Sequence, residues 1–126
     1  MTRRVWVYLD KSDVEFLEKL GMLIGEATLS GTIKFTIKLV RMIVPSPDLI
    51  PSVTLKVGNV GKVEDRGSKI RSWVYLTEDD YEYIEVVKLV IGESKVSSTI
   101  RFLIKLLRII LPNLPNVVKE VKEGLR

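Results

Sequence analysis

Trp6-Val7-Tyr8-Leu9 lies near the start of this 126-residue chain, and the same four residues return as Trp73-Val74-Tyr75-Leu76. The match runs without a gap through residues 6–45 against residues 73–112, with about half of the aligned positions identical. An internal repeat defines the structural unit of a chain, and a solenoid needs three or more copies to bury its faces. Two copies therefore predict two small units that share one core, as the two subunits of a dimer would if they were joined in a single chain.

The segment around each WVYL sequence has the pattern of a β-strand. From Arg3 to Leu9, apolar side chains alternate with polar or aromatic ones, and the β-branched and aromatic content is typical of strands. The second copy alternates in the same way, and we predict no further strand within either copy. Each strand therefore needs a partner, and the simplest one is the strand of the other copy. One face of this pair would carry Arg4, Trp6, Tyr8, Arg71, Trp73 and Tyr75.

The first helix of each copy is marked at both ends. Asp10 and Thr77 have the character of N-caps, and an aspartate three residues after each gives the layout of a capping box. The Ser12/Glu15 pair offers another start two residues later, so this boundary stays open. Gly25 and Gly92 follow as C-terminal stops. Apolar residues at helical spacing between these signals predict a helix of about four turns.

The second helix of each copy, predicted at residues 32–44 and 99–111, is apolar around most of its circumference, which is typical of a buried helix. Ser30 and Ser97 are its N-cap candidates, and Pro45 and Pro112 end it. A single stripe is charged. It consists of Lys34, Lys38, Arg41, Arg101, Lys105 and Arg108. Beyond Lys34 and Arg101 we interpret this stripe, like the acidic residues of the first helix, as a solvated face.

The repeats, residues 1–45 and 70–112, are expected to share one core and to be joined by a linker at residues 46–69. The linker is rich in proline and glycine, and two interpretations stay open. It forms either a hairpin with strands at 53–57 and 60–64 around Gly58-Asn59, or an extended connector. In the C-terminal segment, residues 113–126, the apolar residues Val117, Val118 and Val121 predict a short surface helix over 116–125.

Composition argues against several classes of function. The chain has no cysteine and no histidine, which removes disulfides, thiol nucleophiles, the usual zinc sites and the commonest general base. With no visible acid–base constellation or phosphate-binding glycine loop, we expect no enzyme, cofactor, metal or small-molecule substrate. A net charge of +4 permits a polyanionic partner. Abundant Ile, Val, Lys and Glu, with no glutamine, favour a thermophilic source.

Two stretches of the sequence argue against export and membrane insertion. Met1-Thr2-Arg3-Arg4 leads into a strand and not into an apolar stretch, so we expect no signal peptide, no membrane partner and a cytoplasmic location. The most apolar run, residues 100–111, contains three basic residues and is shorter than the roughly 20 residues of a membrane span. A membrane-surface role for this helix stays open, although the repeat requires the same pattern as core.

A short strand followed by two helices, the second of them buried, resembles the ribbon-helix-helix family of DNA-binding proteins, of the Arc, MetJ and CopG type. The resemblance covers about two thirds of the chain. It rests on residues 4–10 and 71–77, on Gly25 and Gly92, and on Ser30 and Ser97. It implies a mainly α fold with a two-stranded antiparallel β-ribbon, in which two ribbon-helix-helix repeats form an intrachain pseudo-dimer. The tandem arrangement resembles transcription regulators of viruses of hyperthermophilic archaea, which would place the protein in the host cytoplasm.

The resemblance also implies how double-stranded DNA is bound. The ribbon enters the major groove, and its outward residues meet base edges; these are Arg4, Trp6, Tyr8, Arg71, Trp73 and Tyr75. The second helices point their N-termini at phosphates. The residues implied there are Ser30, Gly31, Thr32, Lys34, Ser97, Ser98, Thr99 and Arg101. The family usually has small or polar ribbon residues. The two tryptophans of this chain would either pack on thymine methyl groups or lie beneath the linker or the C-terminal helix.

Two functions follow as expectations. The first is a sequence-specific transcription regulator that binds an imperfect palindrome, since its half-ribbons are similar but not identical. Self-association of this regulator on DNA stays open. The second is a protein-interaction module, antitoxin-like or a viral scaffold, with the linker and residues 117–125 as its contact surface.

Overall fold

The computed structural model describes residues 2–57 and 70–125. This part of the chain is mainly helical, with one two-stranded antiparallel sheet, as predicted. The elements of the first half are β1 (Thr2–Leu9), α1 (Lys11–Ile24), α2 (Leu29–Ile43) and α3 (Ile50–Val57). Those of the second half are β2 (Ile70–Thr77), α4 (Glu78–Ile91), α5 (Val96–Ile110) and α6 (Leu114–Gly124). Short 3-10 turns at Pro47–Leu49 and Leu111–Asn113 lead into α3 and α6.

The two WVYL segments pair with each other, which confirms the predicted strand pairing. β1 and β2 run antiparallel, and Trp6 lies opposite Trp73, its own counterpart in the sequence repeat. Because side chains alternate across a strand, one face of the sheet is apolar and turned inward. Its fully buried residues are Val7, Leu9, Val74 and Leu76.

The predicted starts of the first helices are confirmed. The Asp10 carboxylate accepts a hydrogen bond from the N–H of Asp13 at 2.8 Å, and the Thr77 hydroxyl accepts one from the N–H of Asp80 at 3.2 Å. The alternative start at Ser12 is wrong, because its hydroxyl donates to Asp10 at 2.8 Å from within the first turn. The helix therefore begins where the first available side-chain acceptor satisfies an otherwise unpaired N–H.

The predicted ends of these helices are confirmed as well. Gly25 and Gly92 have φ angles of 74° and 76°, in the left-handed region that favours glycine. Both glycines return a backbone hydrogen bond to the last helical turn. The turn that follows each glycine is short, so the second helix folds back against its own copy and the other.

The second helices begin three residues earlier than predicted. Thr28 is the N-cap of α2, and its hydroxyl accepts a hydrogen bond from the N–H of Gly31 at 3.0 Å. Lys95 precedes α5, where no side-chain hydrogen bond caps the helix. Ser30 and Ser97 lie inside the first turn, so their assignment as N-caps is wrong. At α2 the reason is plain, since Thr28 supplies the same hydroxyl acceptor two residues earlier.

Each second helix packs beneath the strand of the other repeat. α2 contacts β2, α5 contacts β1, and α2 and α5 contact each other. The residues of α5 that are fully buried are Ile100, Leu103, Ile104, Leu106, Leu107 and Ile110. This burial contradicts the interpretation of residues 100–111 as a membrane-surface element. Among residues 2–57 and 70–125, no helix combines the length and the apolar character that crossing a membrane requires.

The first part of the linker is helical. Residues 50–57 form α3, so a hairpin strand at 53–57 is wrong, as is an extended connector over these positions. Ile50 and Val53 are buried at helical spacing, and α3 packs against α6. The other predicted hairpin strand, residues 60–64, lies outside the described residues. The predicted C-terminal helix is confirmed as α6, whose Val117 and Val121 are buried.

Candidate nucleic-acid interface

The structure brings all six predicted base-contacting residues to the outer face of the sheet. In the strand register Arg4 lies opposite Tyr75, and Arg71 lies opposite Tyr8. These four side chains are exposed, whereas the two tryptophans at the centre are half-buried. Each repeat thus contributes one arginine, one tryptophan and one tyrosine to a single surface, which we call the ribbon face (Arg4, Trp6, Tyr8, Arg71, Trp73 and Tyr75).

The tryptophans of the ribbon face contact each other and the two arginines. The ring centroids of Trp6 and Trp73 are 3.2 Å apart, with 34° between the ring planes. The guanidinium carbon of Arg4 lies 3.9 Å from the ring centroid of Trp73, and that of Arg71 lies 3.9 Å from the ring of Trp6. These are cation–π contacts between diagonal neighbours of the two strands.

A third arginine near the sheet is turned away from the ribbon face. Arg3 lies 4.4 Å from the ring centroid of Tyr81, and its Nε is 3.7 Å from a carboxylate oxygen of Glu78. Both partners belong to α4. Arg3 therefore carries the same charge as Arg4 in a different place, which makes it a control position for tests of the ribbon face.

The start of α2 carries an acidic group. The carboxylate of Glu26 accepts hydrogen bonds of 3.3 Å from the backbone N–H and the hydroxyl of Thr28. It also occupies the space above Gly31, where a side chain would collide with it. A carboxylate is favourable at the positive end of a helix. A phosphate approaching this end would meet a negative charge.

The start of α5 has the opposite character. Lys95 stands in place of Thr28 and is exposed, and Ser98 stands in place of Gly31. Because the helix has no side-chain cap, its positive end combines with a lysine and two serine hydroxyls, those of Ser97 and Ser98. The two helix starts are therefore unequal as sites for an anion.

Three of the eight predicted phosphate-contacting residues have buried side chains. Thr32 and Thr99 donate their hydroxyl hydrogens to the carbonyls of Thr28 and Lys95, at 3.0 and 2.9 Å. Arg101 is only 4% exposed. The other predicted residues, which are half-buried, are Ser30, Gly31, Lys34, Ser97 and Ser98.

A fully buried carboxylate of α4 holds two cations of α2. Asp80 lies 3.1 Å from the ammonium of Lys38 and 2.6 Å from the guanidinium of Arg41. Asp80 thus does not complete the predicted capping box with Thr77, because its carboxylate is directed at charged donors of the other repeat.

The same arrangement recurs in the other direction. Asp13 of α1 is fully buried and lies 3.1 Å from the ammonium of Lys105 and 3.0 Å from the guanidinium of Arg108, both on α5. Lys105 also lies 3.0 Å from Asp10. The interpretation of the basic stripe and the acidic helix as solvated faces is therefore wrong at these positions. The sequence did contain a signal for these ion pairs, because the acid and both cations recur at the same positions of each repeat.

The charge of Asp10 predicts a pH dependence of stability. Partial burial alone would raise the pKa of this carboxyl. Hydrogen bonds from the Asp13 N–H and the Ser12 hydroxyl, together with Lys105, instead hold the pKa well below its usual value. The unfolded chain, with a carboxyl pKa of about 3.9, binds the proton more readily. The charged Asp10 carboxylate therefore stabilises the folded state above about pH 4, and this stabilisation is lost as the pH falls further.

Asp10→Asn keeps a capping acceptor and removes the charge. We expect it to lower the free energy of unfolding by about 1 kcal/mol at pH 7, and the difference from the wild type to shrink towards pH 2. Urea unfolding at several pH values measures this. Glu15→Gln, at an exposed acid of the same helix, serves as control. A difference that is the same at every pH would contradict the assignment.

Comparisons of the chain with family models, with curated proteins and with solved structures found no match.

Proposed function

We propose that this protein is a sequence-specific double-stranded-DNA-binding transcription regulator of the ribbon-helix-helix type, whose two repeats form an intrachain pseudo-dimer. One observation above all supports this: the ribbon face presents the same arginine, tryptophan and tyrosine from each repeat, and it is exposed at its arginines and tyrosines. The strand register relates the two sets by an approximate twofold axis through Trp6 and Trp73. Duplex DNA with a palindromic sequence has the matching symmetry.

The chemistry of the ribbon face suits the major groove. That groove admits a two-stranded β-ribbon, and its base edges distinguish all four base pairs. Arg4 and Arg71 carry the paired N–H donors that match O6 and N7 of guanine. The hydroxyls of Tyr8 and Tyr75 both donate and accept hydrogen bonds. In this proposal the ribbon face reads the bases.

The helix starts supply the phosphate contacts in this proposal, and they do so unequally. At α5 the contact comes from Lys95, Ser97 and Ser98, in an uncapped first turn. At α2, Lys34 is the proposed contact, and the carboxylate of Glu26 at the start of the helix weakens the attraction for a phosphate. Since the base-reading residues match and the phosphate-binding ends differ, the preferred site is a palindrome that is bound more firmly on one side.

Salt dependence tests the proposal. Duplexes enriched from a random pool by the protein are titrated by fluorescence anisotropy at several salt concentrations. The logarithm of the binding constant is expected to fall steeply and linearly with the logarithm of salt, because phosphate neutralisation releases counterions. Binding that is indifferent to salt, or the absence of any duplex binding, would contradict the function.

Lys34→Ala separates phosphate contacts from base reading. We expect it to weaken binding to all duplexes alike and to reduce the magnitude of the salt slope by about one. Lys19→Ala removes the same charge from an exposed position on α1 and is expected to leave the slope almost unchanged. A change confined to the selected duplex would show that Lys34 does not contact a phosphate.

The alternative, a protein-interaction module, finds less support. Its proposed contact surface included residues 117–125, but the buried Val117 and Val121 belong to the helix that packs against α3. Capture of a stoichiometric protein partner, together with failure to shift any duplex, would favour this alternative.

A further inference from the structure

We propose that Trp6 and Trp73 are positioning residues that hold Arg4 and Arg71 ready to read two guanines, one in each half of the DNA site. This inference rests on the proposed function, since it names the bases that the ribbon face selects. It assigns the tryptophans a role other than contact with thymine methyl groups.

The stacking order follows from the distances between the side chains. With 3.2 Å between their ring centroids, Trp6 and Trp73 leave no room for a guanidinium between them. Each arginine, at 3.9 Å from its ring, therefore lies on the outer side of the pair. The order across the ribbon face is Arg71, Trp6, Trp73, Arg4. The tryptophan pair shields the inner face of each guanidinium and leaves its outer side open.

Stacking leaves the arginines able to bind a base. A guanidinium is flat, and it contacts an aromatic ring with its face while its N–H donors point outward in its plane. Those donors match the O6 and N7 acceptors of guanine. A long side chain that is already ordered in the free protein loses less conformational freedom on binding. The cation–π contacts thus favour a base that takes both hydrogen bonds.

The geometry also limits the spacing of the two guanines. The three stacking distances add to about 11 Å, which is the largest separation of the two guanidinium carbons. Bases of one strand are about 3.4 Å apart along the duplex axis. Each guanidinium carbon lies about 4 Å from the acceptor of its hydrogen bond, so the two sets of acceptors are at most about 19 Å apart. The two guanines therefore lie within about six base-pair steps of each other. Because the approximate twofold axis relates the arginines, the guanines lie on opposite strands.

The first experiment needs no DNA. In the wild-type protein, the δ-protons of Arg4 and Arg71 are expected to show upfield ring-current shifts by NMR, and the only two tryptophans to give an exciton couplet in circular dichroism. Trp73→Leu should abolish the couplet and return the Arg4 protons to ordinary positions. Trp73→Phe, which keeps an aromatic ring, should retain part of the Arg4 shift and guards against a leucine variant that fails to fold. Unshifted arginine protons in the wild type would overturn the positioning role.

The second experiment measures base discrimination. A selected duplex is compared with one that carries 7-deazaguanine, which lacks the N7 acceptor, at one predicted guanine. The wild type is expected to prefer guanine by about fivefold or more. Trp73→Leu should reduce this preference about two- to fivefold. Tyr81→Leu releases Arg3 from its ring in the same way, away from the ribbon face, and should leave the preference intact.

The outcomes separate this inference from the proposed function. Unchanged discrimination in Trp73→Leu, when Arg4→Ala abolishes it, would overturn the positioning role and leave the DNA-binding function standing. A wild-type protein that binds no duplex, although its arginine protons are shifted, would overturn the function and the guanine assignment together. Selected sites without guanines on opposite strands within about six steps would overturn the assignment of the bases.

Discussion

Asp80→Asn is expected to lower the free energy of unfolding by about 2 kcal/mol, because the buried carboxylate loses its charge-assisted contacts with two partly exposed cations. The asparagine has nearly the same shape, so the change leaves Lys38 and Arg41 facing a neutral group that is fully buried. Because these cations belong to α2 and the carboxylate to α4, losing the ion pairs weakens the contact between the two repeats. We therefore expect a cooperative loss of stability and not a local one.

Urea unfolding at pH 7, followed by far-UV circular dichroism, measures this effect. Glu82→Gln removes the same charge from an exposed position on α4 and should change stability by less than about 0.5 kcal/mol. Combining Asp80→Asn with Arg41→Leu in a double-mutant cycle isolates the pairwise contribution. An Asp80→Asn variant as stable as Glu82→Gln would show that the buried ion pair adds nothing to the fold.

Arg4→Ala combined with Arg71→Ala is expected to have the largest effect on recognition. Each arginine would supply about 1–3 kcal/mol of discrimination against a wrong base, so the double variant should lose about 2–6 kcal/mol if the two sites act independently. The loss is the change in the free-energy difference between a selected duplex and a scrambled one. Competition anisotropy at a single salt concentration measures that difference directly.

A charge-matched variant shows whether the arginines act through position or through charge alone. Arg3→Ala combined with Lys19→Ala removes two positive charges outside the ribbon face. It should weaken binding to both duplexes slightly and leave the difference between their binding free energies unchanged. Equal losses of discrimination in the two double variants would show that Arg4 and Arg71 contribute net charge and do not read bases.

Several features of the fold that depend on neighbours in sequence were predictable, although the N-caps of α2 and α5 were not. Alternation of side chains specified the strands, and the repeat specified that each strand pairs with the other, as the register of Trp6 opposite Trp73 confirms. The caps Asp10 and Thr77 and the stop at Gly25 rest on hydrogen bonds within a few residues, which recur wherever these residue types meet a helix end. The membership of the ribbon face follows from the same alternation.

The tertiary structure decided what contacts what across the repeats. Asp13 and Asp80 have the spacing of a capping box, but they bind cations far away in sequence, since burial makes a charged partner worth more than a local N–H. The hydroxyl of Tyr83 likewise donates to the carbonyl of Val44 at 2.6 Å, and no pattern in either segment predicts this bond.

By itself, the sequence determined the two strands and their pairing, the presence of two helices after each strand and the residues of the ribbon face, because these depend on periodicity and short-range hydrogen bonds. Only the tertiary structure decided that Arg4 stacks on Trp73, that Glu26 lies at the start of α2, and that residues 50–57 form a helix against α6. These outcomes depend on which groups folding brings into contact. Burial and charge then act on neighbours that sequence distance does not reveal.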